Sequence, residues 1–295
     1  MTTKGKQTSM SKIHIKEGVA KALFMAAAGI SILAVALICI FLFANGVPAM
    51  AQIGLPEFLF GTTWRPANDI YGIFPMIVGS IYVTAGAMVV GVPTGLLCAI
   101  FLSRFASGKV ASVLKPGVEL LAGIPSVVYG FFGLVVMVPF IRDTMSGRGQ
   151  SLLAAAVLLG IMILPTIITV AQSALDAVPK KYYEGALALG ADHERSVFRV
   201  IVPAAVSGIM AGIVLGVGRA IGETMAVIMV AGNQPIIPNS IFEGVRTMTA
   251  NIVMEMGYAA DLHRGALVAT GVVLFVFILL ITMLFNVIKR RGEMK

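Results

Sequence analysis

Six apolar runs, each long enough to cross a lipid bilayer as a helix, dominate this sequence. About 20 residues of α-helix span the hydrocarbon core of a membrane. Hydrophobic residues make up 58% of the chain and charged residues only 12%, so the polar surface is too small for a soluble protein of this size. We therefore predict an all-α, polytopic membrane protein with six transmembrane helices. The runs are 23–44, 73–102, 120–141, 151–170, 204–230 and 266–288.

The basic residues between these runs predict how the chain is oriented. Lys and Arg are concentrated before the first run, between the second and third, between the fourth and fifth, and after the sixth. Cytoplasmic loops retain positive charge, so both termini are predicted to lie in the cytoplasm. The net charge of +8 is explained by this topology and by contact with lipid headgroups, which argues against a nucleic-acid partner.

Other sequence signals are weak. Ala49-Met50-Ala51 is similar to a signal-peptidase site, but the uncharged run before it is longer than the 7–15 residues of a signal core, so we expect the first span to be retained. Cys39 and Cys98 both lie in predicted spans, and the three histidines are scattered over separate loops or tails. We therefore predict neither a disulfide framework nor a metal site.

The second and third spans contain helix-breaking residues. Proline removes a backbone donor and frees carbonyl groups that hydrocarbon cannot satisfy, so such spans face other protein segments or a watery path. The stretch GIPSVVYGFF in the third span predicts a bent helix. Either it lines a cavity, into which Ser126 and Tyr129 offer hydroxyl groups, or it is a kink packed against neighbouring helices.

The fifth span carries a row of small residues, Gly208, Gly212 and Gly216. Their four-residue spacing places them on one helix face, where they let a second backbone approach closely. Farther along, the loop of about 233–265 contains a stretch that predicts an interfacial helix. That helix either docks a partner or caps the bundle.

Arg219 and Glu223 are four residues apart in the fifth span, which places them on one face if the helix is continuous. A charge at membrane depth is costly unless it pairs, faces the bundle interior or serves a pathway. We predict that the two side chains pair. Either the pair only locks two helices together, or it forms a gate or anion-recognition element in a translocation path. The rigid fork of an arginine suits an oxyanion such as phosphate.

Residues 179–203 interrupt the apolar pattern with a charged stretch that includes EGALALGADHERSVFRVIVP. Pro179 suits the start of a helix, and Gly190 is a natural helix stop. Asp192 is a natural N-cap for a second short helix, with Glu194 in its first turn. We predict a helix–turn–helix on the cytoplasmic side, with an apolar face that fits a groove of another protein.

This helix–turn–helix segment resembles the coupling motif of ABC importer permeases, whose general form is E-A-A, then G, then I-x-L-P. The spacing agrees, although Gly185 stands where the motif has its first Ala, and Val200 and Val202 replace the usual Ile and Leu. The resemblance implies that the segment inserts into a cytoplasmic ATPase subunit and transmits its nucleotide-driven closure to the membrane helices. The matching residues are Glu184, Ala186, Gly190, Val200 and Pro203.

Three further stretches narrow the resemblance: FLFGTTWRPANDIYGIFPMIVGS, GIPSVVYGFFGL and GRAIGETMAVIMVAGN. They are similar to the C-type permease subunits of high-affinity phosphate ABC importers. The resemblance implies the MetI-like permease fold in the bacterial plasma membrane. It implies as partners a homologous A-type permease, two ATP-binding subunits and an extracytoplasmic phosphate-binding protein. We divide the chain into a polar cytoplasmic tail (1–18), a six-span permease domain (19–292) that includes residues 179–203, and a short C-terminal end (293–295).

The expected activity is then that of a non-catalytic membrane subunit that moves inorganic phosphate. The sequence contains no G-x-x-x-x-G-K-[ST] motif, so ATP is expected to be used by the partner ATPase, with no cofactor bound by this chain. Phosphate is expected to meet Arg219, hydroxyl groups and the backbone N–H groups of broken helices. The alternative is a permease for another oxyanion, such as molybdate or sulfate. A membrane enzyme lacks a cooperating set of catalytic residues, and a passive channel would lack the ATPase-docking segment.

Overall fold

The computed structural model describes residues 4–145 and 148–293, with side chains described for 20–145, 148–285 and 287. Most of this chain is helical, with one small two-stranded hairpin. The helices are α1 (Lys4–Ile53), α2 (Leu55–Phe60), α3 (Phe74–Ile100), α4 (Gly108–Gly123), α5 (Ser126–Phe132), α6 (Val138–Thr144), α7 (Leu152–Asp176), α8 (Lys180–Ala188), α9 (His193–Ser196), α10 (Val202–Ala204), α11 (Val206–Gly222), α12 (Met225–Val230), α13 (Met248–Glu255) and α14 (Asp261–Glu293).

Three segments of π-helix extend or connect these helices: Phe101–Phe105 after α3, Gly133–Met137 between α5 and α6, and Val197–Ile201 between α9 and α10. Each is five residues long. Segments of π-helix inside helices are uncommon and often lie at functional sites. The third of them falls inside the helix–turn–helix segment.

Five helical stretches in the described residues are long and apolar enough to cross a membrane, and a sixth is bent. The bent stretch consists of 193–204 and 206–222, whose axes differ by 68°. Counted as one span, it brings the total to the six that the sequence predicts. The predicted fifth span, 204–230, is wrong in detail, because its helix ends at Gly222 and a new one begins at Met225.

Both ends of the described chain are helical. The predicted tail, 1–18, is helical from Lys4 and continuous with the first span, and α14 continues without a break to Glu293. The remaining residues of the two predicted end segments, 1–3 and 294–295, lie outside the described residues. The division of the chain at residues 18 and 292 stays a prediction.

The core forms where α3 packs along α7. Gly91 and Gly160 let the two backbones approach closely, since an added Cβ at Gly91 would lie 2.7 Å from Ile163 and one at Gly160 would lie 2.9 Å from Val90. Leu158 and Met162 on α7 are almost completely buried. Close approach of small residues is how helices gain contact area inside a membrane. Helix α7 is thereby the most enclosed of the spanning helices.

Helix α11 packs on another part of α7 through the predicted row of glycines. An added Cβ would lie 2.4 Å from Ala174 at Gly208, 3.2 Å from Val170 at Gly212 and 3.0 Å from Ile167 at Gly216. These distances leave little or no room for a side chain. In the structure, the face of α11 that carries these glycines packs against α7.

Substitution of Gly208 by alanine should lower the free energy of unfolding by about 1–3 kcal/mol, because the added methyl group overlaps Ala174. Gly218 on the same helix provides the matched control, since nothing lies within 4 Å of a Cβ added there. Gly218→Ala should be neutral or stabilising by up to about 1 kcal/mol, as expected for this change in a helix. Equilibrium unfolding in mixed micelles measures both. Equal losses in the two variants would contradict the packing argument.

At the end of the bundle opposite the helix–turn–helix segment lies a layer formed by residues 54–73 and 231–264, called here the cap layer. Its hairpin pairs Trp64 with Tyr71 and Arg65 with Ile70. Trp64 is buried, and its Nε1 donates a 2.9 Å hydrogen bond to Glu255. Tryptophan is common at membrane interfaces, but the polar edge of Trp64 is used inside the protein. The predicted interfacial helix is α13, whose buried residues pack against α14 and α3.

Candidate functional site

Two breaks between helices lie in neighbouring parts of the bundle. The chain is extended at Ile124 and Pro125, between α4 and α5, and again at Glu223, between α11 and α12. Helices α5 and α12 pack closely, because a Cβ added at Gly130 would lie 2.9 Å from the Cα of Ala226. The prediction of a bend in the third span is thus confirmed.

Arg219 lies in the last turn of α11, where it is partly buried. Its Nη1 donates a long hydrogen bond of 3.4 Å to Thr166 Oγ1 on α7. Its charge is also within electrostatic range of the Tyr129 hydroxyl on α5. An arginine has five N–H donors, so this side chain retains donors for another group.

Glu223 does not lie on the same helical face as Arg219, and the predicted pairing is wrong. Glu223 has an extended conformation just after α11 ends, and its Oε1 accepts hydrogen bonds from the backbone N–H groups of Thr224 (3.1 Å) and Ala226 (3.2 Å). Among the described side chains, no ion pair within 4.0 Å joins Arg219 to Glu223. The carboxylate therefore caps the start of α12, in the place where an anion was expected to bind.

The two hydroxyl groups of the third span have different environments. Tyr129 is buried, and its hydroxyl donates a 2.9 Å hydrogen bond to the Leu121 carbonyl across the break between α4 and α5. That carbonyl belongs to the last turn of α4, where helix carbonyls lack partners within the helix. Tyr129 therefore stabilises the bend. Ser126 is the first residue of α5 and is partly exposed.

The helix–turn–helix segment forms as predicted, although Pro179 is the residue before α8 rather than in its first turn. Gly190 has φ 84°, a left-handed conformation that glycine adopts without strain, and it follows the end of α8. Asp192 caps α9, since its Oδ1 accepts a 2.7 Å hydrogen bond from the Arg195 backbone N–H. A cap and a glycine stop therefore fix the turn between the two helices.

The residues that match the coupling motif are divided between the inside and the outside of this segment. Ala186 is buried, whereas Glu184, Gly190 and Pro203 are exposed and Val200 is partly buried within a π-helical segment. Leu189 is 91% exposed. Contact between this exposed surface and another protein stays a prediction.

The cap layer contains a buried polar network that was not predicted from the sequence. Glu255 has a side chain only 8% exposed, and it accepts hydrogen bonds from Trp64 Nε1, Arg246 Nη1 and His263 Nε2. Beside this network, burial raises the pKa of the Tyr71 hydroxyl, with smaller contributions from the hydrogen bond to Asp69 and from its charge. Tyr71 therefore stays protonated at neutral pH.

Comparison with known proteins shows what kind of protein this is. The family model described as "Binding-protein-dependent transport system inner membrane component" matches residues 91–293. Among curated proteins, the chain is 41% identical to the probable ABC transporter permease protein YqgH of Bacillus subtilis, covering 88% of this chain and 86% of the relative. It is 36% identical to the phosphate transport system permease protein PstC of Mesorhizobium japonicum, covering 83% and 81%.

Solved structures support the same fold. An inward-facing form of the MetNI methionine ABC transporter matches 75% of this chain and 94% of its own, with 22% identity and a TM-score of 0.55. A bacterial alginate ABC transporter in complex with an alginate pentasaccharide-bound periplasmic protein matches 88% and 93%, with 17% identity and a TM-score of 0.59. The chain has the fold of ABC importer permeases and belongs to the family of binding-protein-dependent transport system inner membrane components.

Proposed function

We propose that this chain is the membrane permease subunit of an ATP-driven phosphate importer. It forms half of the translocation path, together with a homologous A-type permease, and an extracytoplasmic phosphate-binding protein delivers the substrate. Both termini lie in the cytoplasm, as the distribution of Lys and Arg favours. The similarity to several phosphate transport system permease proteins over most of the chain supports phosphate as the substrate.

The observation that carries the proposal is Arg219. A guanidinium group at membrane depth is costly unless it has partners or a functional reason to be there. Here it has one long hydrogen bond to a threonine and no ion pair within 4.0 Å among the described side chains. A guanidinium group that keeps unused N–H donors beside a break between helices is suited to the transient binding of an oxyanion. In this proposal Arg219 meets phosphate directly, and the partly exposed hydroxyl of Ser126 at the start of α5 also contributes.

Glu223 takes a different part from the one first expected. Its carboxylate already accepts hydrogen bonds from the backbone N–H groups of Thr224 and Ala226. These N–H groups are therefore not available to bind phosphate. The negative charge of Glu223 would also repel an anion. We propose that Glu223 holds the start of α12 in place and keeps phosphate from resting there.

The helix–turn–helix segment is the proposed contact with a dimer of ATP-binding subunits. Helix α8 presents Glu184 and Leu187 on its exposed surface, and Leu189 and Gly190 follow directly in the turn. A short amphipathic helix that docks in a groove is a common mode of recognition between proteins. The bend of 68° between 193–204 and 206–222 joins this contact to α11, the helix that carries Arg219.

Uptake of radiolabelled phosphate into vesicles that contain the complete complex tests the proposal. Glu184→Lys should reduce ATP-dependent uptake about tenfold or more, because it reverses an exposed charge on the proposed docking helix. Glu57→Lys is the matched control, since Glu57 is an exposed carboxylate in the cap layer, and it should leave uptake unchanged. Wild-type uptake that sulfate or molybdate abolishes by competition would instead assign the chain to another oxyanion. Full uptake by Glu184→Lys would contradict the coupling role.

A further inference from the structure

We propose that Tyr183, His193 and Phe105 form a clamp that transmits movement of the ATPase-docking helix α8 to the membrane helix α3. This inference rests on the proposed function, because it concerns the same coupling segment. It assigns positioning roles to three residues outside the motif that identifies the segment. None of the three is expected to touch phosphate or ATP.

The first contact joins the two short helices across the turn. The Tyr183 hydroxyl on α8 and Nδ1 of His193 on α9 are 2.8 Å apart, which is the length of a good hydrogen bond. Tyr183 also packs against a buried cluster that includes Leu102 and Val197. The hydrogen bond therefore fixes α8 relative to α9 in addition to the backbone turn at Gly190.

The second contact joins this pair to the end of α3. The ring of Phe105 meets the ring of His193 edge to face, with centroids 4.9 Å apart, and it lies 6.3 Å from the ring of Phe198. The pair of Phe105 and His193 has the edge-to-face geometry that aromatic rings favour. Phe105 is the last residue of the π-helical segment that follows α3, and Phe198 lies in the π-helical segment of the coupling region.

The π-helical segment 101–105 is in turn fastened to α7. Ser103 Oγ donates a 2.5 Å hydrogen bond to Asp176 Oδ1, and Arg104 Nη2 donates to the Leu175 carbonyl. These acceptors lie at the end of α7, four or five residues before α8 begins. A shift of α8 is therefore opposed from two sides, through the chain itself and through the clamp. Since α3 packs along α7, the clamp connects the docking helix to the core of the membrane bundle.

A merely structural role makes a different prediction from a coupling role. If the clamp only stabilises the helix–turn–helix segment, its loss lowers the amount of assembled complex, and ATP hydrolysis and import fall together. If it transmits movement, the complex assembles and hydrolyses ATP, but less phosphate is imported for each ATP. The ratio of phosphate imported to ATP hydrolysed therefore separates the two roles.

The experiment uses the complete complex in vesicles, with Tyr183→Phe to remove only the hydroxyl and Phe105→Leu to remove the ring. Tyr182→Phe is the matched control, because Tyr182 is the neighbouring tyrosine and is half exposed. We expect the ratio of import to hydrolysis to fall about threefold to tenfold in both clamp variants, as for loss of one ordinary hydrogen bond or aromatic pair. The control should keep the wild-type ratio, and the yield of complex should be equal in all.

Two results would overturn the clamp: an unchanged ratio in Tyr183→Phe and Phe105→Leu, or a parallel fall of hydrolysis, import and complex yield. A wild-type complex that hydrolyses ATP but imports no phosphate would instead contradict the proposed substrate. The clamp is then judged by the stimulation of ATP hydrolysis that the binding protein causes. This stimulation should decrease in the two clamp variants and not in Tyr182→Phe, and equal stimulation in all of them would overturn the clamp as well.

Discussion

Replacing Glu255 with alanine is expected to lower the free energy of unfolding by about 3–5 kcal/mol, the usual cost of removing one partner from a buried ion pair. The carboxylate accepts hydrogen bonds from Arg246 Nη1 at 2.6 Å and from Trp64 Nε1 and His263 Nε2 at 2.9 Å each. The Arg246 side chain is only 13% exposed, so its charge would remain in the protein without its carboxylate partner. Loss of the Glu255 carboxylate should loosen the hairpin, α13 and the start of α14 together.

Equilibrium unfolding in mixed micelles measures this change in free energy. Glu119→Ala serves as the control, because Glu119 is an exposed glutamate on α4 and should change the free energy by no more than about 0.5 kcal/mol. Glu255→Gln keeps the volume of the side chain and removes the charge. Its free energy of unfolding should therefore lie between those of the control and of Glu255→Ala. If Glu255→Ala is as stable as the control, the three hydrogen bonds do not hold the cap layer together.

The parts of the fold that the sequence predicted well are those with local causes. Hydrophobicity over about 20 residues is enough to identify a spanning helix, because hydrocarbon leaves few alternatives to a helix. The turn at Gly190 and the cap at Asp192 follow from the preferences of single residues. The glycines of α11 have the spacing that close helix packing needs, and the structure places them against α7.

The pairing of Arg219 with Glu223 was predicted from spacing alone, and spacing is informative only if the helix continues. The helix ends at Gly222, and Glu223 caps the next helix instead of facing Arg219. Gly222 directly before an acidic residue was a signal for this break, since glycine is common where helices end and acidic residues favour helix starts. In an apolar stretch of this length, the hydropathy pattern obscured that signal.

The cap layer was not predicted because its contacts are long-range. Trp64 and Glu255 are 191 residues apart in sequence, and nothing in either neighbourhood indicates the other. From its residue type alone, Trp64 would be expected at the membrane interface, where tryptophan is enriched. A single sequence does not show which distant polar residue satisfies the indole N–H, so the buried network emerged only in three dimensions.

Replacing Arg219 with glutamine is expected to reduce phosphate import about tenfold to a hundredfold, while the complex still assembles. Hydrogen bonds to a charged group contribute about 1.5–3 kcal/mol, which corresponds to this range. Assembly should be preserved because Arg219 makes only one long hydrogen bond, to Thr166, among the described side chains. Arg219→Lys keeps the charge but not the planar fork, so its import should lie between that of the wild type and of Arg219→Gln.

Import assays in vesicles, with the yield of purified complex measured in parallel, decide whether Arg219 handles phosphate or supports the structure. Arg264→Gln is the control, since Arg264 is exposed at the start of α14. The complex with this variant should import phosphate at the wild-type rate. Thr166→Val removes the one described hydrogen-bond partner of Arg219. If Arg219 mainly supports the structure, Thr166→Val should reduce import as much as Arg219→Gln does. If Arg219 binds phosphate, Thr166→Val should reduce import only slightly. Normal import by Arg219→Gln would require phosphate to cross without this guanidinium group.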